Sequence, residues 1–233
     1  MEYNRPETYL EGSILFIDKP LTWTSFDVVN KIRRLLKTQL GIKKIKVGHA
    51  GTLDPLATGL VIICTGKATK QIMQFQDMDK AYTAQVRLGA TTPSFDLETA
   101  VDQTYPWEHI SKKEIQEVLL GLQGEQEQMP PQFSAKSMDG KRAYVMARKG
   151  EKVELKTQKI HISHLELLWA ELPDLKLQVE CSKGTYIRSL ARDLGEKLGS
   201  GAHLTGLRRT RIGPYGLDRA ISLENFEKNL KLL

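Results

Sequence analysis

At 233 residues the chain is long enough to bury a proper core, as one large domain or two small ones. With 40% apolar and 27% charged residues it is not a disordered chain, and no stretch approaches the ~20 apolar residues that span a bilayer. A net charge of +6 leans towards a polyanionic partner, and where the charge sits says more than its sum.

The N-terminal Met1-Glu2-Tyr3-Asn4-Arg5-Pro6 has no signal-peptide core, so a cytoplasmic protein without a membrane partner is expected. Ser13–Ile17 reads as a buried strand stopped by Asp18-Lys19-Pro20. Thr24 or Ser25 can cap a helix with Phe26, Val29, Ile32 and Leu36 on one face and basic residues on the other. From Lys31 to Lys46 there are seven Lys/Arg and no Asp or Glu. Gly48–Gly59 follows, neither helix-periodic nor alternating, with three glycines, Pro55, Asp54 and His49. Pro55 keeps Asp54 extended or in a turn, so the carboxylate should sit on a rigid bend beside the apolar strand Leu60–Cys64.

Gly66 to about Phe75 reads as a short helix, and Ala81–Leu88 as a half-buried strand with Tyr82, Ala84, Val86 and Leu88 on one side. Ser111 and Glu114 form a capping box for a helix bearing Ile115, Val118, Leu119 and Leu122. From Gln123 to Gly150 the pattern breaks into a basic excursion (Lys136, Lys141, Arg142, Arg148, Lys149, with Tyr144), ending in a short helix near Ala143–Arg148. Strands return at Lys159–Trp169 and Leu175–Ser182. Thr185–Leu198 is a helix with Leu190, Leu194 and Leu198 inward, and Ser222 caps a last helix. A third basic cluster is Arg208, Arg209 and Arg211. The expectation is one α+β domain over residues 1–233 on a mixed, mostly antiparallel sheet. Cys64 and Cys181 lie in strand-like contexts and read as buried, reduced thiols.

Several chemistries are rejected. Thr65-Gly66-Lys67-Ala68 lacks the first glycine and the hydroxyl of a phosphate loop. The five histidines and two cysteines have no zinc spacing, and no nucleophile elbow occurs, so neither metal nor cofactor is expected. Asp54 remains the strongest reactive candidate, although a loop aspartate before proline is more often a turn-former. A second constrained segment, Cys181–Arg188, runs from a strand through Gly184 into a helix start and presents Tyr186 and Arg188. An arginine beside a desolvated aspartate would keep it ionised, as a nucleophile must be.

Gly48-His49-x-Gly51-x-Leu53-Asp54-Pro55-x-Ala57-x-Gly59 resembles the signature of the TruB-type tRNA pseudouridine synthases. Lys19-Pro20, Lys80-x-Tyr82, Arg87-Leu88-Gly89, Ser134-Ala135-Lys136, Cys181-Ser182-x-Gly184-Thr185-Tyr186-Ile187-Arg188 and Gly201-Ala202-x-Leu204-x-x-Leu207-Arg208-Arg209 fall in the family's order, from about Gly12 to Leu223. The resemblance implies the pseudouridine-synthase fold, with Gln123–Gly150 as its RNA-gripping insertion. It implies a tRNA substrate, isomerised at the T-arm uridine conventionally numbered 55, with that base flipped out before reacting. Asp54 matches the catalytic aspartate, Tyr82 the aromatic that stacks on the flipped base, and Arg188 the arginine that pairs with the aspartate. Tyr186 and Leu207 match the pocket lining, and His49 a histidine that handles nucleotides of the loop. Lys19 and Lys70 support the site or contact RNA, while Lys136, Arg142, Arg208 and Arg209 become phosphate contacts.

Two departures stand out. Many members of the family this chain resembles carry a Thr-Asp-x-x-Asp pattern, and here Pro93 stands at the first acid while Asp96 is kept. The chain also stops soon after the catalytic region, which implies a short form without the C-terminal PUA domain, acting as a monomer without a guide RNA. A non-catalytic chaperone of the tRNA elbow is the main rival, and both activities could coexist. A metal-assisted nuclease is disfavoured by the lack of a ligand set.

Overall fold

The computed structural model describes residues 3–134, 137–138, 141–142, 146 and 155–231. In chain order it begins with helix α1 (Pro6–Glu11), strand β1 (Ile14–Lys19), helix α2 (Ser25–Gln39) and strands β2 (Val47–His49) and β3 (Ala57–Thr65). A 3-10 turn (Gly66–Gln71) runs into α3 (Ile72–Asp77), followed by β4 (Lys80–Leu88), β5 (Ala90–Thr91), β6 (Gln103–Thr104), α4 (Lys112–Gly121) and β7 (Gly124–Gln128). Then come β8 (Ser137–Met138), β9 (Lys141–Arg142), β10 (Gln158–Glu171), β11 (Asp174–Cys181), α5 (Ile187–Lys197), β12 (Ala202–Ile212), β13 (Tyr215–Gly216) and α6 (Leu223–Lys231). The chain forms two compact units, Met1–Tyr82 with Arg208–Leu233, and Thr83–Leu207.

In the first unit β3 lies between β1 and the last residues of β12. β1 pairs antiparallel with β3 from Ile14↔Cys64 to Lys19↔Gly59, and β2 pairs antiparallel with it from Val47↔Thr65 to His49↔Ile63. The apolar run Leu60–Cys64 is buried on both faces. Leu60, Ile62 and Cys64 enter a core with Ala50, Ala68, Phe75 and Ile212. Strand alternation sends Val61 and Ile63 to the opposite face. β1 continues through Asp18-Lys19, where a stop is expected, because Lys19 takes the next inward position of an alternating strand.

Helix α2 starts at a complete capping box. The Asp27 amide donates to Thr24 Oγ1 at 3.0 Å, and the Thr24 amide donates to Asp27 Oδ2 at 2.9 Å. It buries Val28, Val29, Ile32, Leu35 and Leu36, whereas Phe26, expected on that face, is 59% exposed. At 100° per residue Phe26 stands roughly 120° from the centre of the buried stripe.

In the second unit the strand order is β12–β4–β11–β10–β7, with β12 and β4 contributing the residues that fall in this unit. β10 pairs antiparallel with β11 from Ile162↔Cys181 to Glu171↔Asp174, and with β7 from Gln158↔Gln128 to Ile162↔Gly124. β13 pairs antiparallel with β12 in the first unit, where a parallel bridge, Ile17↔Ile221, also occurs, so the pairing is mixed and mostly antiparallel. The expected alternation of Tyr82, Ala84, Val86 and Leu88 is all buried, as are Leu190, Leu194 and Leu198 around α5. Regular strand β7 stands where an irregular stretch is expected. Gly124-Glu125-Gln126-Glu127-Gln128 has no apolar residue, so pairing with β10 defines the strand and alternation cannot reveal it. β8 and β9 pair as a small hairpin that includes the backbone of Arg142. Lys136, Tyr144, Arg148 and Lys149 lie outside the described residues.

Cys64 and Cys181 are buried thiols outside any disulfide, and burial pushes the Cys64 thiol up to about 11. Among the described residues no helix is long and apolar enough to cross a membrane.

Candidate active site

The segment joining β2 to β3 in the first unit is held at successive residues around Asp54. The Ala57 amide donates to the Asp54 carbonyl at 3.0 Å, closing a turn whose second position is Pro55. Before Asp54, buried Leu53 exchanges two hydrogen bonds with Ser25: its amide donates to Oγ at 2.9 Å, and Oγ donates to its carbonyl at 3.3 Å. After Asp54, the Pro55 carbonyl accepts from the Thr22 amide at 2.8 Å and from Lys19 Nζ at 3.4 Å. Lys19 Nζ also donates to the carbonyls of Pro20 at 2.9 Å and Trp23 at 2.6 Å.

Arg209 completes the scaffold. It is 1% exposed, and its guanidinium donates to the carbonyls of Leu60 at 2.7 Å, Thr52 at 3.3 Å and Gly51 at 3.3 Å. The phosphate contact expected of Arg209 is therefore corrected: all three guanidinium nitrogens are spent on carbonyls beneath the loop. Gly59, at φ +107°, lets β12 approach, because a Cβ there would sit 2.2 Å from the Arg209 carbonyl oxygen.

These contacts bring charges together. Lys19 is wholly buried, and burial is the largest cause pulling its ammonium down from 10.5 to about 8. The Asp54 carboxylate opposes that shift and Arg209 adds to it, while Asp27 and Asp18 oppose it more weakly. His49, at the end of β2, is held below its ordinary value chiefly by burial. A backbone hydrogen bond with Gly51 opposes this, and the Arg209 charge reinforces it. Lys19, His49, Asp54 and Arg209 thus share one neighbourhood within the first unit.

Other expected residues of this unit are more peripheral. Arg208 is partly exposed and donates to Asp18 Oδ2 at 2.6 Å and Thr58 Oγ1 at 3.2 Å. Lys70 is exposed on the 3-10 turn. Tyr82 is buried on the inward face of β4, two residues after Lys80, whose ammonium donates to the carbonyls of Gln76 and Met78 at the end of α3.

The second unit holds Tyr186, Arg188 and Leu207. Arg188, 3% exposed, donates to the carbonyls of Ser94 at 3.2 Å and Phe133 at 2.9 Å, and its Nε lies 3.6 Å from Asp96 Oδ2. Tyr186 caps α5, and its backbone is clamped by Gln128: the amide donates to Oε1 at 2.8 Å and the carbonyl accepts from Nε2 at 3.1 Å. Leu207 is half-buried in β12. Sequence reasoning missed the clamping roles of Ser25 and Gln128. It noticed Asp96 without giving it a partner. Among the described residues no three His, Cys, Asp or Glu side chains group closely enough to hold a metal ion.

Residues 33–187 match the TruB family pseudouridylate synthase N-terminal domain, and residues 188–232 match the tRNA pseudouridylate synthase B C-terminal domain. The chain is 61% identical to tRNA pseudouridine synthase B of Phocaeicola vulgatus, covering 94% of this chain and 93% of that one. It is 53% identical to the protein of the same name from Flavobacterium johnsoniae, covering 97% and 99%. Among solved structures, a chain in the crystal structure of a Cbf5-Nop10-Gar1 complex superposes with a TM-score of 0.73 at 28% identity over 96% of this chain. The present chain spans 56% of that chain's length. A chain in the structure of an H/ACA RNP bound to a substrate RNA containing 2'-deoxyuridine gives 0.70 at 27%, covering 96% and 55%. A buried cationic cradle around one turn-held aspartate, the signature segments in order and identity over nearly the whole length agree: the chain has the pseudouridine-synthase fold and belongs to the TruB family of pseudouridylate synthases.

Proposed function

We infer that this chain isomerises uridine to pseudouridine in tRNA, at the T-arm position conventionally numbered 55. The observation that carries this reading is the clamp on Asp54, in which both flanking residues are pinned and the buried ammonium of Lys19 is coupled to the carboxylate. A turn-forming aspartate would need none of that.

In the reaction Asp54 initiates cleavage of the C1′–N1 bond, uracil rotates, C1′ bonds to C5, C5 loses its proton and N1 takes one up, so substrate and product are isomers. Tyr82 stacks on the flipped base and stands beside the C5 proton, Tyr186 and Leu207 line the base pocket, and Arg188 acts with the carboxylate. His49, kept neutral by burial, handles displaced nucleotides without storing a proton. Lys70, Lys136, Arg142 and Arg208 meet phosphates. Extruding the base costs a few kcal/mol, which stacking and phosphate contacts offset. The enzyme works in the cytoplasm as a monomer, with neither guide RNA nor metal.

The test is Asp54→Asn. Full tRNA binding with no tritium release from C5-labelled uridine supports the reading, and substantial residual turnover overturns the assignment. A refolding assay on the same variant separates catalysis from a tRNA-chaperone activity. The purified wild-type chain, given unmodified tRNA and a chelator, should still form pseudouridine.

A further inference from the structure

The basic segment Lys31–Lys46 belongs to none of the roles above. In the first unit it comprises the second half of α2 and its connection to β2. Lys31 and Arg33 have structural partners: Lys31 pairs with Glu227 at 2.6 Å, and Arg33 donates to the Val47 carbonyl at 3.1 Å and to Asn30 Oδ1 at 2.9 Å. The other five, Arg34, Lys37, Lys43, Lys44 and Lys46, are exposed and make no ion pair with any described residue. Cations at a helix C-terminus are ordinarily explained by the dipole, which accounts for Lys37 alone. Lys43, Lys44 and Lys46 lie beyond the helix.

The connection is an ordered display. Gly41 turns at φ +66°, and Ile42 is 5% exposed with its amide donating to the Leu36 carbonyl at 3.4 Å. The Lys46 carbonyl accepts from the Gly66 amide at 2.9 Å. Along the N-terminal part of α2, reaching Arg34, runs a groove of about 420 Å³ lined by Thr22, Trp23, Asp27, Asn30, Lys31 and Arg34. Helix α2 is tied to the Asp54 loop at Ser25, so its rise sets Arg34 and Lys37 roughly 14 and 18 Å along the axis from that anchor. This is too far to touch a nucleotide reacting at Asp54, yet close enough to meet the phosphates of the same folded RNA.

We propose that Arg34, Lys37, Lys43, Lys44 and Lys46 form a second phosphate-binding surface, which grips the backbone of the substrate RNA outside the reacting nucleotide. It rests on the reading of this chain as an RNA-modifying enzyme. Its occupant is RNA, because an acid-free array of separate cations complements a phosphate backbone through counterion release.

The experiment compares the full chain with a variant carrying Arg34→Gln, Lys37→Gln, Lys43→Gln and Lys44→Gln. The control carries Lys112→Gln, Lys113→Gln, Lys159→Gln and Lys176→Gln, which removes equal charge from the second unit. Binding of full-length tRNA is measured across a salt series, with thermal melts to verify folding. The surface variant should bind at least ~10-fold more weakly at low salt, with the slope of log K against log[salt] reduced by up to about 3, while the control stays near wild type. A charge-conserving variant, Arg34→Lys with Lys37→Arg, Lys43→Arg and Lys44→Arg, should keep wild-type affinity. Equal weakening in both variants, or an unchanged slope, overturns the proposal. Pseudouridine formation by the wild-type chain is followed separately: if it fails while binding depends on this surface, the enzymatic reading falls and the surface stands.

Discussion

The hydroxyl of Ser25 and the backbone of Leu53 exchange hydrogen bonds in both directions, at 2.9 and 3.3 Å, so one buried side chain fixes the residue immediately before Asp54. Ser25→Ala leaves the Leu53 amide and carbonyl without this partner inside the protein. The expected cost is about 1–3 kcal/mol, read as a lower urea midpoint at unchanged m-value. Because the lost contact orients the loop, single-turnover pseudouridine formation should slow by roughly 10-fold or more while tRNA affinity holds. An unchanged rate in a destabilised variant would confine Ser25 to folding.

Lys19 gives the site a pH signature. Its ammonium titrates near pH 8 in the folded chain and near 10.5 when unfolded. Between those values the unfolded state carries the extra proton, so this group's contribution makes stability rise with pH across that window. The field at Asp54 does the opposite, because the cation is lost as pH passes 8. The rate should therefore fall above about pH 8 even as the fold is relieved of a buried charge. Carbon-13 methylation of the lysines should show one amine with a midpoint near 8, and Asp54→Asn should lower it further by removing the charge that raises it. A midpoint unmoved by that substitution would separate the two groups.

Arg209 distinguishes a scaffold from a phosphate contact. Arg209→Met removes donors from three carbonyls and should destabilise by about 3 kcal/mol or more. At temperatures where the variant is folded, the salt dependence of tRNA binding should match wild type. Arg208→Gln should leave stability within about 1 kcal/mol, since its pair with Asp18 is partly exposed, and should flatten the salt slope.

The contrast between these neighbours shows what could be read from sequence. Periodicity and capping chemistry are local, so Thr24–Asp27, Ser111–Glu114 and the alternation of β4 are legible, and the fold class follows. The signature segment identified Asp54, yet nothing local distinguishes Arg208, half in solvent, from Arg209, buried under Gly51 and Thr52. That difference depends on which face of β12 meets β3, and the run Arg208-Arg209-Thr210-Arg211 carries no apolar alternation that would mark β12 as a strand. Phe26 misled for a related reason: an aromatic counts as core until the phase of the whole stripe is known. Ser25 reads locally as a cap candidate, while its function lies in a partner 28 residues away.

Asp96 supplies the last prediction. The turn before it is tightly organised: Thr92 Oγ1 and Ser94 Oγ donate to the Asp96 carbonyl at 2.7 and 3.2 Å, and Phe95 adopts φ +63° beneath the Arg192 guanidinium. This holds the carboxylate with Oδ1 on the Glu98 amide at 2.9 Å and Oδ2 at 3.6 Å from Arg188 Nε. Asp96→Ala removes a charged neighbour of buried Arg188 and the acceptor of the Glu98 amide, so it should cost about 1–3 kcal/mol, and Asp96→Asn less because an amide oxygen still accepts from Glu98. Arg188 keeps its bonds to the Ser94 and Phe133 carbonyls in both variants, so the fold should survive at low temperature. If Asp96 positions Arg188 for the reaction, kcat should drop in Asp96→Asn with little change in KM, and Asp96→Glu should recover part of it. Loss of stability with kcat intact would make Asp96 a purely structural anchor of the turn.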